Sequence, residues 1–141
     1  MDLARKLFGA IYLIGAAANL IMIMFQPDIY GSFANLALIP FYQNAWNSLV
    51  IPNLYVFVSL TIAFEIGLGA LFLFGRRFLG LAYLISLGFN IGLIPFGLTF
   101  LYSNGVLVLV QVYLLSKVRN SDEYGLSGGK RVISGVKVRR N

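Results

Sequence analysis

The chain contains no cysteine and no histidine. That excludes disulfides, thiol nucleophiles and CxxC redox pairs. It also removes the imidazole and thiolate ligands that hold structural zinc and iron–sulfur clusters. Haem could rely only on Met22, Met24 or a tyrosine, so no bound cofactor is expected. Charge is scarce too: 11% of the 141 residues are charged, against about 25% in an ordinary soluble domain. Only Asp28, Glu65, Arg76 and Arg77 carry charge between Leu7 and Ser116.

What fills that interval is apolar. Hydrophobic residues make up 59% of the chain, and several runs approach the roughly 20 residues that a membrane span needs. The first runs from about Leu7 to Phe25. Ala16-Ala17-Ala18 resembles a small-residue cleavage site, but the apolar run continues past it, so an uncleaved anchor is expected. The second opens after Asn53 and ends at Gly75. Arg76-Arg77 forms a tight turn into the third, Phe78 to Pro95 or Phe96. The fourth is expected from near Phe100 to near Val118. These boundaries predict an all-α polytopic membrane protein, with a four-helix bundle over residues 1–119 and a basic, disordered tail over 120–141.

Residues 26–53 form a long connection with one charge, Asp28, and five aromatic residues: Tyr30, Phe33, Phe41, Tyr42 and Trp46. Pro40 is expected to divide it into two short interfacial helices, with Ser32 as a candidate N-cap. The simpler expectation for the aromatics is a belt at the membrane boundary, where ring and polar edge are both accommodated. The sharper alternative is a lid over a site between the helices.

The positions of the basic residues set the topology. The net charge is +6, which in a soluble protein would suggest nucleic acid. Here Arg5 and Lys6 precede span one, Arg76 and Arg77 join spans two and three, and the other seven follow span four. An up-down bundle places all 11 on one side, the cytoplasmic side by the positive-inside rule. No nucleic-acid partner is expected. The expected partners are the bilayer itself and, for the basic tail, anionic lipid.

Glu65 breaks the pattern, being the single charge within the 21 residues Leu54–Phe74. A carboxylate at bilayer depth costs about 2.5–3.5 kcal/mol on insertion scales. It lies eleven residues from Arg76, or about 16 Å along a helix axis. Asn90 and Asn19 each lie thirteen residues from a basic residue, Arg77 and Lys6, or about 20 Å. Three spans thus carry a strongly polar residue at similar depth. Helical spacing adds Thr61 and Gly69 to the face of Glu65, Tyr83 and Ser86 to that of Asn90, and Tyr12 and Gly15 to that of Asn19. Gly15 and Gly69 are expected to admit a neighbouring backbone, as is the Gly88–Gly92 GxxxG element. Gln111, only six residues from Lys117, is expected nearer the cytoplasmic edge. The plain reading is that Glu65, Asn19 and Asn90 hydrogen-bond one another and fix helix register. The functional reading makes Glu65, Asn19, Asn90, Thr61, Tyr83, Ser86 and Tyr12 candidates for ligand binding or proton carriage. A desolvated carboxyl without a cation is expected to be neutral and to donate a hydrogen bond.

The stretch Phe64-Glu65-Ile66-Gly67-Leu68-Gly69-Ala70-Leu71-Phe72-Leu73-Phe74-Gly75-Arg76-Arg77 resembles the DoxX-like family of small four-helix membrane proteins. Gly9-Ala10-Ile11-Tyr12-Leu13-Ile14-Gly15-Ala16-Ala17-Ala18-Asn19-Leu20 is similar to that family's first helix, with Asn19 where many members carry a lysine. The resemblance covers about residues 5–118. It implies a protein of the inner (plasma) membrane of a prokaryote, accessory to a quinone-linked redox system through a redox partner protein or quinone. Two other functions are open to Glu65: a small proton-coupled transporter, and a membrane-embedded enzyme acting on a lipid or isoprenoid.

The topology is directly testable. With both termini cytoplasmic, Ser32→Cys should react with an impermeant thiol reagent in intact cells, and Ser127→Cys should not. Labelling at 127 but not at 32 would overturn the orientation.

Overall fold

Four stretches of the chain, residues 2–25, 40–74, 76–96 and 98–118, are helical, long enough and apolar enough to cross a membrane. The computed structural model describes the backbone of residues 2–133 and the side chains of residues 2–118. Six α-helices follow in order: α1 (Asp2–Phe25), α2 (Ile29–Leu36), α3 (Pro40–Ala45), α4 (Leu54–Phe74), α5 (Leu79–Leu93) and α6 (Leu98–Ile133). No strand occurs among the described residues. This suits an apolar solvent, where a helix satisfies its backbone polar groups internally.

The helices associate as two antiparallel pairs. α1 packs along the length of α4 and α5 along α6, while α4 and α5 meet over a shorter stretch. The α1–α4 contact rests on Gly9 and Gly69. A Cβ added to Gly69 would lie 3.2 Å from the Gly9 carbonyl oxygen and 2.9 Å from Leu13, so a larger residue forces the helices apart. The expected close contact at Gly88 and Gly92 does not form: space beside both is open. Gly15 meets a side chain, that of Glu65, and not a backbone.

Two apolar clusters fill the interior. Phe8, Tyr12, Leu68, Phe72, Ala82 and Tyr83 pack between the pairs near the end that carries Arg5. Ile23, Tyr30 and Val58 form the second near the opposite end. Arg5 is itself buried. Its Nη1 donates to the carbonyls of Phe72, at 2.8 Å, and Leu73. It thereby satisfies last-turn acceptors of α4 with a cation suited to a helix C-terminus. Asp2 lies 3.6 Å from Arg5 and 3.4 Å from Arg76, tying α1 to the turn after α4.

The long connection forms two short helices divided ahead of Pro40, as expected, and departs from expectation at the cap of the first and in the continuation of the second. Ser32 lies inside α2 and donates to the Ile29 carbonyl, while Asp28 holds the cap position without a side-chain cap bond. Pro40 opens α3 at its first turn, where its missing N–H costs little. α3 then runs through a π-helical turn, Trp46–Val50, and a 3₁₀ turn, Ile51–Asn53, into α4. The α6 backbone is also longer than its apolar run, remaining helical to Ile133 and not ending near Val118. Once nucleated, a helix propagates at one hydrogen bond per residue fixed. The rest of the 120–141 tail lies outside the described residues.

The connection is fastened to the turn between α5 and α6. The Leu38 N–H donates to the Pro95 carbonyl at 2.8 Å. Gly97, at φ 133°, sits where a Cβ would come 3.0 Å from the Leu36 carbonyl oxygen. Side chains rarely adopt that φ, so both backbone and space demand glycine. Gly97→Ala should therefore lower stability by about 1–3 kcal/mol, measured by thermal unfolding in detergent. An unchanged melting temperature would show that the fastening carries no strain.

Candidate functional site

Glu65 points from the middle of α4 toward α1, into the gap that Gly15 leaves. A Cβ on Gly15 would fall 2.8 Å from Glu65 Oε1. The Asn19 amide donates to Glu65 Oε2 at 2.9 Å, one helical turn further along α1. Asn19 is held in turn by Tyr30 of α2, whose hydroxyl donates to Asn19 Oδ1 at 3.0 Å. The Trp46 indole N–H then donates to the Tyr30 carbonyl at 2.7 Å. One chain of hydrogen bonds thus runs from the carboxyl to the long connection. In the Asn19 bond the carboxyl accepts, as either an ionised or a protonated carboxyl can.

Burial, followed by the nearby Glu65 charge, raises the Tyr30 phenol above its ordinary range. The hydroxyl therefore remains a proton-bearing donor to Asn19 at neutral pH.

Above Glu65 lies a cavity of about 370 Å³, bounded by both helix pairs and the long connection. Glu65, Asn19, Thr61 and Tyr30 supply its polar lining, while Phe33, Trp46, Phe57, Phe89, Phe96 and Phe100 contribute aromatic side chains. Thr61 bonds back to the Phe57 carbonyl at 3.0 Å, so its hydroxyl is not orphaned. Tyr30, Phe33 and Trp46 are therefore turned inward as a cover, whereas Phe41 stays exposed like a belt residue. The connection thus contributes rings both to the cavity lining and to the exposed surface.

Three of the remaining candidates, Asn90, Ser86 and Tyr12, form a separate cluster nearer the Arg5 end. The Asn90 amide donates to the Tyr12 hydroxyl and to the Ser86 carbonyl, each at 2.9 Å. The Tyr12 and Ser86 hydroxyls are bonded to each other. Gln111 of α6 donates to Ser86 Oγ at 2.6 Å and is fully buried. Asn90 thus does not join Glu65, although their depths match: it lies on a face of α5 that meets α6 and Tyr12. Tyr83 belongs to neither cluster. Its ring packs edge-on to Phe8 and Phe72, and its buried hydroxyl has no partner among the described residues.

Sequence reasoning missed Gln111 and Tyr30 as site-building residues. Gln111 shares a helical stripe with Asn104, Leu107, Leu114 and Val118, and that spacing was the available signal. Nothing local marks Tyr30 apart from the other aromatics in its segment. Comparison with known proteins adds no assignment: no family model, curated protein or solved structure matches the chain.

The hydrogen-bond chain makes a prediction. Glu65→Gln keeps an acceptor for Asn19 and should melt close to the parent. Glu65→Leu strands the Asn19 donor and should cost about 0.6–1.7 kcal/mol. Equal melting of the two variants in detergent would show that the Asn19–Glu65 bond contributes nothing.

Proposed function

We propose that the chain is a DoxX-like membrane protein that binds a quinone or quinol in the cavity above Glu65, as an accessory subunit of a quinone-linked redox system. The observation that carries this reading is the cavity: about 370 Å³ walled by aromatic side chains, with one carboxyl held by the Asn19 amide. A quinone ring is apolar on both faces and polar at its oxygens. Aromatic side chains pack against its faces, and Glu65 Oε1 offers a proton or a lone pair to one oxygen. Quinone chemistry moves protons together with electrons, so a carboxyl within hydrogen-bond reach of a ring oxygen serves as a proton carrier. Without cysteine or histidine the chain supplies position and proton, and a partner protein supplies the electrons.

The reading places the protein in the inner membrane of a prokaryote with both termini cytoplasmic and the covered cavity toward the outer face. The distribution of the 11 basic residues supports that orientation. The short meeting of α4 with α5 favours a second reading. Two helix pairs joined thinly around a carboxyl can rock against each other, as a proton-coupled transporter requires.

Trp46 is the sole tryptophan and lines the cavity, so its emission reports occupancy. A short-tailed benzoquinone added to the full chain in nanodiscs should quench it saturably. Thr61→Phe, which fills part of the cavity, should weaken that binding. Quenching that rises linearly without saturation, as from quinone dissolved in lipid, would overturn the reading.

A further inference from the structure

The cavity wall carries four uncharged polar side chains, and each already donates within the protein. Tyr30 donates to Asn19 at 3.0 Å, Asn19 to Glu65 at 2.9 Å, Thr61 to Phe57 at 3.0 Å and Trp46 to Tyr30 at 2.7 Å. Glu65 differs. Oε2 accepts from Asn19, while Oε1 makes no hydrogen bond among the described residues and faces the space left by Gly15. No lysine or arginine lines the cavity. The buried cation of the bundle, Arg5, is engaged elsewhere, on the carbonyls of Phe72 and Leu73. A carboxylate in this position has one amide donor and no counter-ion.

The walls supply the complementary feature. Phe33, Trp46, Phe96 and Phe100 form a connected group, with Trp46 and Phe96 centroids 4.8 Å apart and Phe33 and Phe100 5.6 Å apart. Phe57 and Phe89 add rings from α4 and α5. Aromatic faces attract an organic cation through the ring quadrupole, most strongly where water is excluded. A free carboxyl oxygen, no lysine or arginine in the lining and a wall of aromatic rings together suit a cationic ligand.

We infer that the cavity above Glu65 is a binding site for a lipophilic organic cation, an ammonium group on an apolar frame. The ammonium lies against Glu65 Oε1 and takes the place of the carboxyl proton. The apolar frame packs among the rings beneath the lid. The inference shares the cavity with the quinone reading but not its ligand, so either can fail alone. An amine of this class competes with quinone for the space.

The test uses the full chain in nanodiscs of zwitterionic lipid, which removes ammonium binding to anionic headgroups. Equilibrium binding of tritiated phenyltrimethylammonium is measured for the parent, Glu65→Gln and Phe57→Leu, alongside short-tailed benzoquinone binding from Trp46 emission. Saturable binding is expected for the parent. Affinity should fall at least about tenfold in Glu65→Gln and several-fold in Phe57→Leu, given the combined loss of charge pairing and of ring contact. Quinone binding should survive in Glu65→Gln, whose amide still hydrogen-bonds a ring oxygen. Absence of saturable ammonium binding in the parent overturns the inference, as does equal affinity in the parent and Glu65→Gln. Should Glu65→Gln melt early, Phe57→Leu decides, because it alters no side-chain hydrogen bond: unchanged affinity there overturns the inference. Loss of quinone binding with ammonium binding retained would sink the quinone reading alone.

Discussion

A carboxyl surrounded by apolar side chains must be hydrogen-bonded, and the Asn19–Glu65 bond meets that constraint. It sets the positions of α1 and α4 relative to each other, because the asparagine must stand one turn beyond the glycine that leaves room for the carboxyl. The Gly9–Gly69 contact brings the same helices close enough for the bond to form. Interhelical hydrogen bonds in membranes are worth about 0.6 kcal/mol on average. The Asn19 bond alone therefore does little to offset the insertion cost of a carboxyl. An amide in place of Glu65 could fix the same register without that cost, which is the physical argument that Glu65 serves a ligand or a proton.

The two polar clusters have different surroundings and so different capacities. Tyr12, Ser86, Asn90 and Gln111 bond mainly to one another, spanning α1, α5 and α6. Side chains so engaged specify helix register, with Gln111 Oε1 left as a buried acceptor without a partner among the described residues. The Glu65 cluster spans α1, α4 and the long connection and opens onto empty space. The cavity exists because the α1–α4 and α5–α6 pairs are each closely packed while contact between them is limited. Aromatic side chains from the connection cover the gap without filling it.

Tyr30 joins the cover to the carboxyl. Its hydroxyl holds Asn19, its carbonyl receives Trp46, and its ring packs in the apolar cluster with Ile23 and Val58. Displacement of the connection would therefore disturb the amide that holds Glu65. The π-helical turn at Trp46–Val50 belongs to the same region, and such turns recur at functional sites in helical proteins. At the other end of the bundle Arg5 is a buried structural residue. Its charge belongs to the basic set at the helix ends, and its guanidinium closes the last turn of α4.

Hydropathy and spacing by themselves determined the four apolar helices, their approximate limits, the uneven placement of basic residues and the singular position of Glu65. Each depends on local composition and on the 1.5 Å rise of a helix, which a linear sequence carries in full. The pairing of Asn19 with Glu65 was also legible, since both depth and face could be counted from charged ends. Only the tertiary structure decided that Asn90 belongs with Gln111 and Tyr12, that Gly9 and not the GxxxG element makes the close contact, and that Tyr30 and Trp46 turn inward. Periodicity fixes which residues share a face of one helix. It does not fix how that helix is rotated against its neighbours. In a uniformly apolar surround hydrophobicity gives little preference among rotations, so packing and hydrogen bonding between helices choose the partners.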